Sequence, residues 1–213
     1  MDDEMDPYKW QKVERLEFLI DGIFAIVMTL LVLDIRLPVS EAVHSEADLM
    51  KLLAALLPKI ASYTLSFMVL ASYWSAYGAQ FHYIHKCDRR LYFYAVLLLL
   101  SVSFMPFTTA FLSEHLEFKT SIALYWLNLT CIGFSLALHW RHAYKRKLLK
   151  IEDAQANLIN KLFMQRGARG MVMTTIVALL AFISPYLTIV CYLLFLFALM
   201  FGFDQPLGNK KVS

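Results

Sequence analysis

The sequence predicts an all-α integral membrane protein with six transmembrane helices, and three observations predict it. Hydrophobic residues make up 59% of the 213 residues and charged residues 17%, against roughly 45 to 50% and about 25% in soluble domains. Apolar blocks of about 20 residues, enough to cross a bilayer core of roughly 30 Å, recur between charged stretches. None of them alternates polar with apolar residues, as the strands of a membrane barrel must.

Span one covers about residues 17–37. It follows an acidic start, Met1-Asp2-Asp3-Glu4-Met5-Asp6, that lacks a basic n-region, and no small-residue cleavage site follows the apolar block, so the span is expected to be retained. Spans two, three and four cover about residues 57–81, 90–113 and 120–141, and no mid-helix break or inverted repeat is expected in the first four. The apolar run over residues 170–203 is too long for one span, and Ser184-Pro185-Tyr186 interrupts it. Proline removes a backbone donor and biases its predecessor away from helix. Two spans joined by a tight hairpin result, over about residues 168–184 and 186–203. The polar stretch before them includes residues 152–160, read as an amphipathic helical extension, and residues 1–213 form a single domain.

Charge orients this arrangement. Of the 20 Lys and Arg residues, all but Arg36, Lys51, Lys59 and Lys119 fall on one side, and the positive-inside rule puts that side, with both termini, in the cytoplasm. The net charge of +3 reflects topology, so the expected partner is the lipid bilayer and not nucleic acid. Cys87, Cys131 and Cys191 have no paired spacing and read as small buried hydrophobes. No metal or cofactor is expected.

The first span is the most informative. Asp21 lies within it, and an ionisable group inside a span is costly and usually faces protein or water. Measured from Ile26 at 100° per residue, Gly22 lies at about −40°, Thr29 at about −60°, Leu30 at about +40° and Leu33 at about −20°. These residues form one face, and Asp21 lies about 140° from Ile26. One reading is that the face lines a pore while Asp21 locks the helix against its neighbours. A helix contact or a lipid-facing stripe gives the same pattern. Arg15 is about 120° around the helix from Asp21, so partners must come from other helices. Trp74 offers an indole donor and His82 a donor or acceptor, although a packing aromatic and a solvated loop residue would look the same. Asp34 and Arg36 read as an outer-mouth cation site or as a snorkelled interfacial pair.

The run Arg15-Leu16-Glu17-Phe18-Leu19-Ile20-Asp21-Gly22-Ile23-Phe24-Ala25-Ile26, continuing to Leu30-Leu31-Val32-Leu33, resembles the first helix of the transmembrane protein 175 family of potassium channels. That family carries an arginine, three variable residues and then Phe-Ser-Asp. Arg15 and Asp21 keep this spacing, while Leu19 and Ile20 replace the Phe and Ser, so the serine's hydrogen bond cannot form here. The likeness continues less specifically through Trp74, His82 and Cys87-Asp88-Arg89-Arg90-Leu91 to Pro106-Phe107-Thr108.

The resemblance implies a homotetramer whose first helices line a central pore for monovalent cations, with K+ as the permeant ion and no enzymatic activity. It puts the constriction at Ile26, with Thr29 and Leu33 as the next layers on the face shared by Gly22 and Leu30. Arg15, Asp21, Trp74 and His82 become a network that anchors the helix. An aliphatic constriction gates by dewetting. The chain has seven glycines and no Thr-Val-Gly-Tyr-Gly loop, so discrimination of potassium from sodium is expected to be modest. A bacterial inner membrane is the implied location.

Two other readings stay open. Asp21 could carry protons in a coupled transporter, for which broken helices and inverted repeats would be the marks. Alternatively His82 with His85 and His139 with His142, each pair spaced HxxH near the basic side, could converge on a metal in a membrane enzyme.

Overall fold

The computed structural model describes residues 13–37 and 44–180 and, beyond them, residues 183, 184, 187, 188, 190–192 and 194. Helix α1 (Val13–Leu30) tightens into a 3-10 turn over Leu31–Asp34. There follow α2 (Glu46–Phe81), α3 (Arg89–Ser103), α4 (Met105–Glu114), α5 (Lys119–Lys145) and α6 (Asp153–Leu179). Among the described residues four segments are long and apolar enough to cross a membrane: Val13–Asp34, Glu46–Phe81, Arg89–Glu114 and Lys119–Lys145.

Helix α2 starts well before the apolar block that predicts it. Ser45 accepts from the Asp48 backbone N–H at 3.2 Å, and Glu46 and Asp48 favour the positive end of the helix dipole. Its 36 residues run about 54 Å at 1.5 Å each, and Pro58 lies inside the helix without ending it.

The third span contradicts the expectation of unbroken helices. It is interrupted at Phe104, between α3 and α4. Pro106 is the cause, because it has no N–H to give to the Val102 carbonyl and its ring crowds that group. The proline starts α4 at the first-turn position where its missing donor costs least.

Helix α6 begins at Asp153, so the amphipathic extension over residues 152–160 belongs almost wholly to the helix that carries the apolar residues after Gly170. Beyond it Tyr192 donates its hydroxyl to the Thr174 carbonyl at 2.7 Å. Eighteen residues of unbroken helix would separate them by about 27 Å, so the chain reverses between them. Of the sequence there, Pro185, Tyr186 and most of the span expected over residues 186–203 lie outside the described residues.

Helix α5 packs against α3, α4 and α6, while α1 lies against α2 and α3. Leu65, Leu70, Leu91, Leu98 and Ile132 are fully buried in this core. Polar side chains bridge it. Thr109 donates to Ser66 at 2.8 Å, Ser66 and Tyr125 share a bond of 3.1 Å, and Asn128 donates to Thr108 at 3.2 Å. At the basic end, backbone bonds join the α2–α3 and α5–α6 connections, from Lys150 to Tyr83 and from His85 to Leu148, both 2.9 Å.

Candidate ion pathway

Helix α1 has two faces of opposite fate. Leu16, Ile20, Phe24, Val27 and Leu31 are buried, their three- and four-residue spacings keeping one face inward. Gly22, Ile26, Thr29, Leu30 and Leu33 are exposed, with Ile26 at 58% and Leu33 at 64%. A Cβ added to Gly22 would meet nothing within 4 Å. The Thr29 hydroxyl turns back on its own helix, onto the carbonyls of Ile26 at 2.7 Å and Ala25 at 3.1 Å, so its O–H is not offered outward. Exposed apolar side chains such as Leu57, Leu100 and Phe134 also stud other helices, as lipid contact requires. What sets α1 apart is the acid fixed beside its exposed face.

That acid is Asp21, which accepts the Trp74 indole N–H at 2.7 Å. The bond ties α1 to α2 at the depth where the exposed face begins. Arg15 is exposed near the start of α1. His82 does not join the Asp21–Trp74 pair. It is exposed in the turn after α2, with its ring edge-on to Tyr83 at 5.1 Å. The reason is axial distance, since eight residues past Trp74 amount to about 12 Å of helix.

Asp34 is held from within the protein. Ser113 of α4 donates to its carboxylate at 2.9 Å, which fastens the end of the first span to the third. Among the described residues its side chain is paired with Ser113 and not with Arg36.

The histidines disperse. His139 is buried, its Nδ1 3.3 Å from Gln80 Oε1 and its ring stacked on Phe81 at 5.4 Å. His142 reaches the Asp88 carboxylate through Nε2 at 2.8 Å, while His82 and His85 are exposed. Among the described residues no three His, Cys, Asp or Glu side chains gather as a metal site would require. Burial would raise the Asp88 pKa, but the Leu91 N–H at 2.7 Å, the His142 bond and charge, and Arg146 together hold it below its ordinary value. The cysteines are not uniformly buried: Cys131 is exposed and Cys87 and Cys191 are half-buried.

Sequence reasoning passed over Ser113, the Asp88–His142 pair and the Ser66–Thr109–Tyr125 cluster. A signal for the cluster was present in the Ser, Thr and Asn residues set within apolar blocks, where an unpaired hydroxyl or amide is costly. Among the described residues three other buried polar atoms, the Tyr77 hydroxyl, the Ser62 hydroxyl and His139 Nε2, have no hydrogen-bond partner.

Comparison with known proteins agrees with this architecture. The family described as endosomal/lysosomal potassium channel TMEM175 matches residues 15–106. A protein described as a potassium channel from Streptomyces collinus is 32% identical over 206 residues, covering 93% of this chain and 96% of that protein. Another so described, from Chamaesiphon minutus, is 29% identical over 185 residues, covering 84% of this chain and 90% of its own length. The crystal structure of a lysosomal potassium-selective channel TMEM175 homolog from Chamaesiphon minutus superposes with a TM-score of 0.75 at 25% identity, covering 89% of this chain and 97% of that one.

Proposed function

The chain belongs to the TMEM175 family of endosomal/lysosomal potassium channels, and from that premise we propose how its first helix conducts. The protein is a potassium channel, so it passes ions and does not perform enzymatic chemistry. Four chains assemble around an axis, each presenting the exposed face of α1 to a central pathway. Ile26 forms the constriction, Thr29, Leu30 and Leu33 the layers beyond it, and Gly22 leaves a wider vestibule. The chain resides in a bacterial inner membrane with both termini in the cytoplasm.

The single observation that supports this reading is the split character of α1. One face is built into the protomer core and fixed by the Asp21–Trp74 bond, while the other is an exposed row of three aliphatic side chains, a threonine and a glycine. A ring of such side chains holds water poorly, so an ion passes only when the constriction wets, and each ion's cost is that of shedding its hydration there. Because the sequence carries no Thr-Val-Gly-Tyr-Gly loop to supplement this barrier with backbone carbonyls, the preference for potassium over sodium is modest.

Liposomes containing the purified protein test the proposal. A potassium gradient is expected to collapse without ATP or a proton gradient, with sodium and caesium fluxes measured alongside. Strict dependence on ATP or on protons would overturn passive conduction.

A further inference from the structure

We propose that the basic end of α3 holds the headgroup of an anionic glycerophospholipid, with an acyl chain along the exposed apolar ridge that α3 carries away from it. A surface cavity of about 440 Å³ there is lined by Arg89, Arg90, Phe93 and Tyr94. Both arginines are exposed, and neither makes an ion pair or hydrogen bond among the described residues. The neighbouring acid cannot neutralise them. Asp88 is committed to the Leu91 N–H at 2.7 Å and to His142 at 2.8 Å, and the charge of Arg146 also acts on it.

The surroundings fit a lipid and not a free anion. Tyr94 is positioned by ring contact with His142 at 5.5 Å, and Phe93 stands across it at 64° with 62% of its surface exposed. Aromatic rings of this kind settle at headgroup depth. Beyond them Val96, Leu100 and Phe104 are exposed in one line, and at 100° per residue Arg89 and Arg90 lie at about −40° and +60° from Phe93, straddling that line. From Phe93 to Phe104 the rise is about 16 Å, close to one leaflet of a bilayer core of roughly 30 Å. Inorganic phosphate would satisfy the two guanidinium groups and leave the ridge uncovered. A phospholipid satisfies both.

The test measures lipid retention by the delipidated full chain in detergent, using native mass spectrometry with phosphatidylglycerol, phosphatidylcholine and inorganic phosphate as separate probes. Wild type is expected to retain phosphatidylglycerol over the other two. Replacing both arginines, Arg89→Gln with Arg90→Gln, should weaken retention about thirty-fold, given the usual contribution of a basic residue near an anionic surface. Lys161→Gln, which removes a charge that is also exposed, from α6, should retain the lipid as wild type does. Unchanged thermal unfolding of the lipid-free double variant would show that the fold is intact. Equal retention of phosphatidylcholine, binding of phosphate as strong as that of the lipid, or an unaffected double variant would each overturn the proposal.

Discussion

Trp74 on α2 donates its indole N–H to the Asp21 carboxylate on α1 at 2.7 Å, across 53 positions of sequence. The bond acts on rotation as well as on attachment. A turn of α1 by one residue, about 100°, would exchange exposed Ile26 for buried Val27 and carry Asp21 away from its donor.

Removing either partner should therefore cost about 0.5 to 1.5 kcal/mol, the net value of a hydrogen bond, because both side chains are partly exposed. Asp21→Ala and Trp74→Phe are expected to destabilise the protein singly, and the double variant by little more than either, which a double-mutant cycle from unfolding in detergent measures. Additive losses would mean that the two side chains act separately. If Asp21→Ala instead assembles normally and loses only the pH dependence of flux, Asp21 is a proton carrier.

Ile26 and Val27 separate the exposed face of α1 from its packed face. On the proposed pathway, Ile26→Asn should wet the constriction, raising conductance and eroding selectivity. Val27, 4% exposed, should as Asn reduce assembly or stability without opening a leak, since a buried amide without partners is costly. The comparison is liposome flux at matched protein yield. A leak through Val27→Asn with wild-type behaviour of Ile26→Asn would put the pathway on the other side of α1.

Two buried tyrosines make opposite predictions for the same substitution. The Tyr125 hydroxyl is bonded to Ser66 at 3.1 Å, whereas the Tyr77 hydroxyl is buried without a partner among the described residues. Tyr125→Phe should lose about 0.5 to 1.5 kcal/mol, and Tyr77→Phe should be neutral or stabilising because it removes an unmet polar group. Thermal unfolding of the two variants reads the sign directly.

Asp88 predicts an acid limit. Its folded pKa lies below the ordinary 3.8, so its contribution is fully present above that value and is lost as pH falls toward the folded pKa. Asp88→Asn keeps a good helix cap over Leu91 but gives up the charge facing His142. The variant should be less stable than wild type near neutral pH, and the difference should shrink as the medium is acidified through about pH 3.9. Unfolding midpoints measured across that range check it.

Much of α1 was legible in the sequence. The azimuth argument from Ile26 separates Gly22, Ile26, Thr29, Leu30 and Leu33 from Asp21, and the structure leaves those five exposed. Other features needed three dimensions. Trp74 and His82 are comparable donors on paper, and only the axial position of α2 against α1 gives the bond to Trp74. Asp34 stands beside Arg36 in the sequence, and only the fold brings Ser113 within hydrogen-bond distance of it. The HxxH spacing suggests convergence, yet His139 turns to Gln80 and His142 to Asp88, because residues three apart on a helix lie about 60° apart around it and here meet different neighbours.

The sequence by itself determined the membrane class, four apolar segments long enough to cross a membrane and the exposed and buried faces of α1, because hydrophobicity and helical periodicity are local properties of the chain. The tertiary structure decided the partner of each polar side chain within those spans. A hydrogen bond between two helices depends on their relative offset and rotation to within an ångström or so, and those quantities arise from the packing of the whole core.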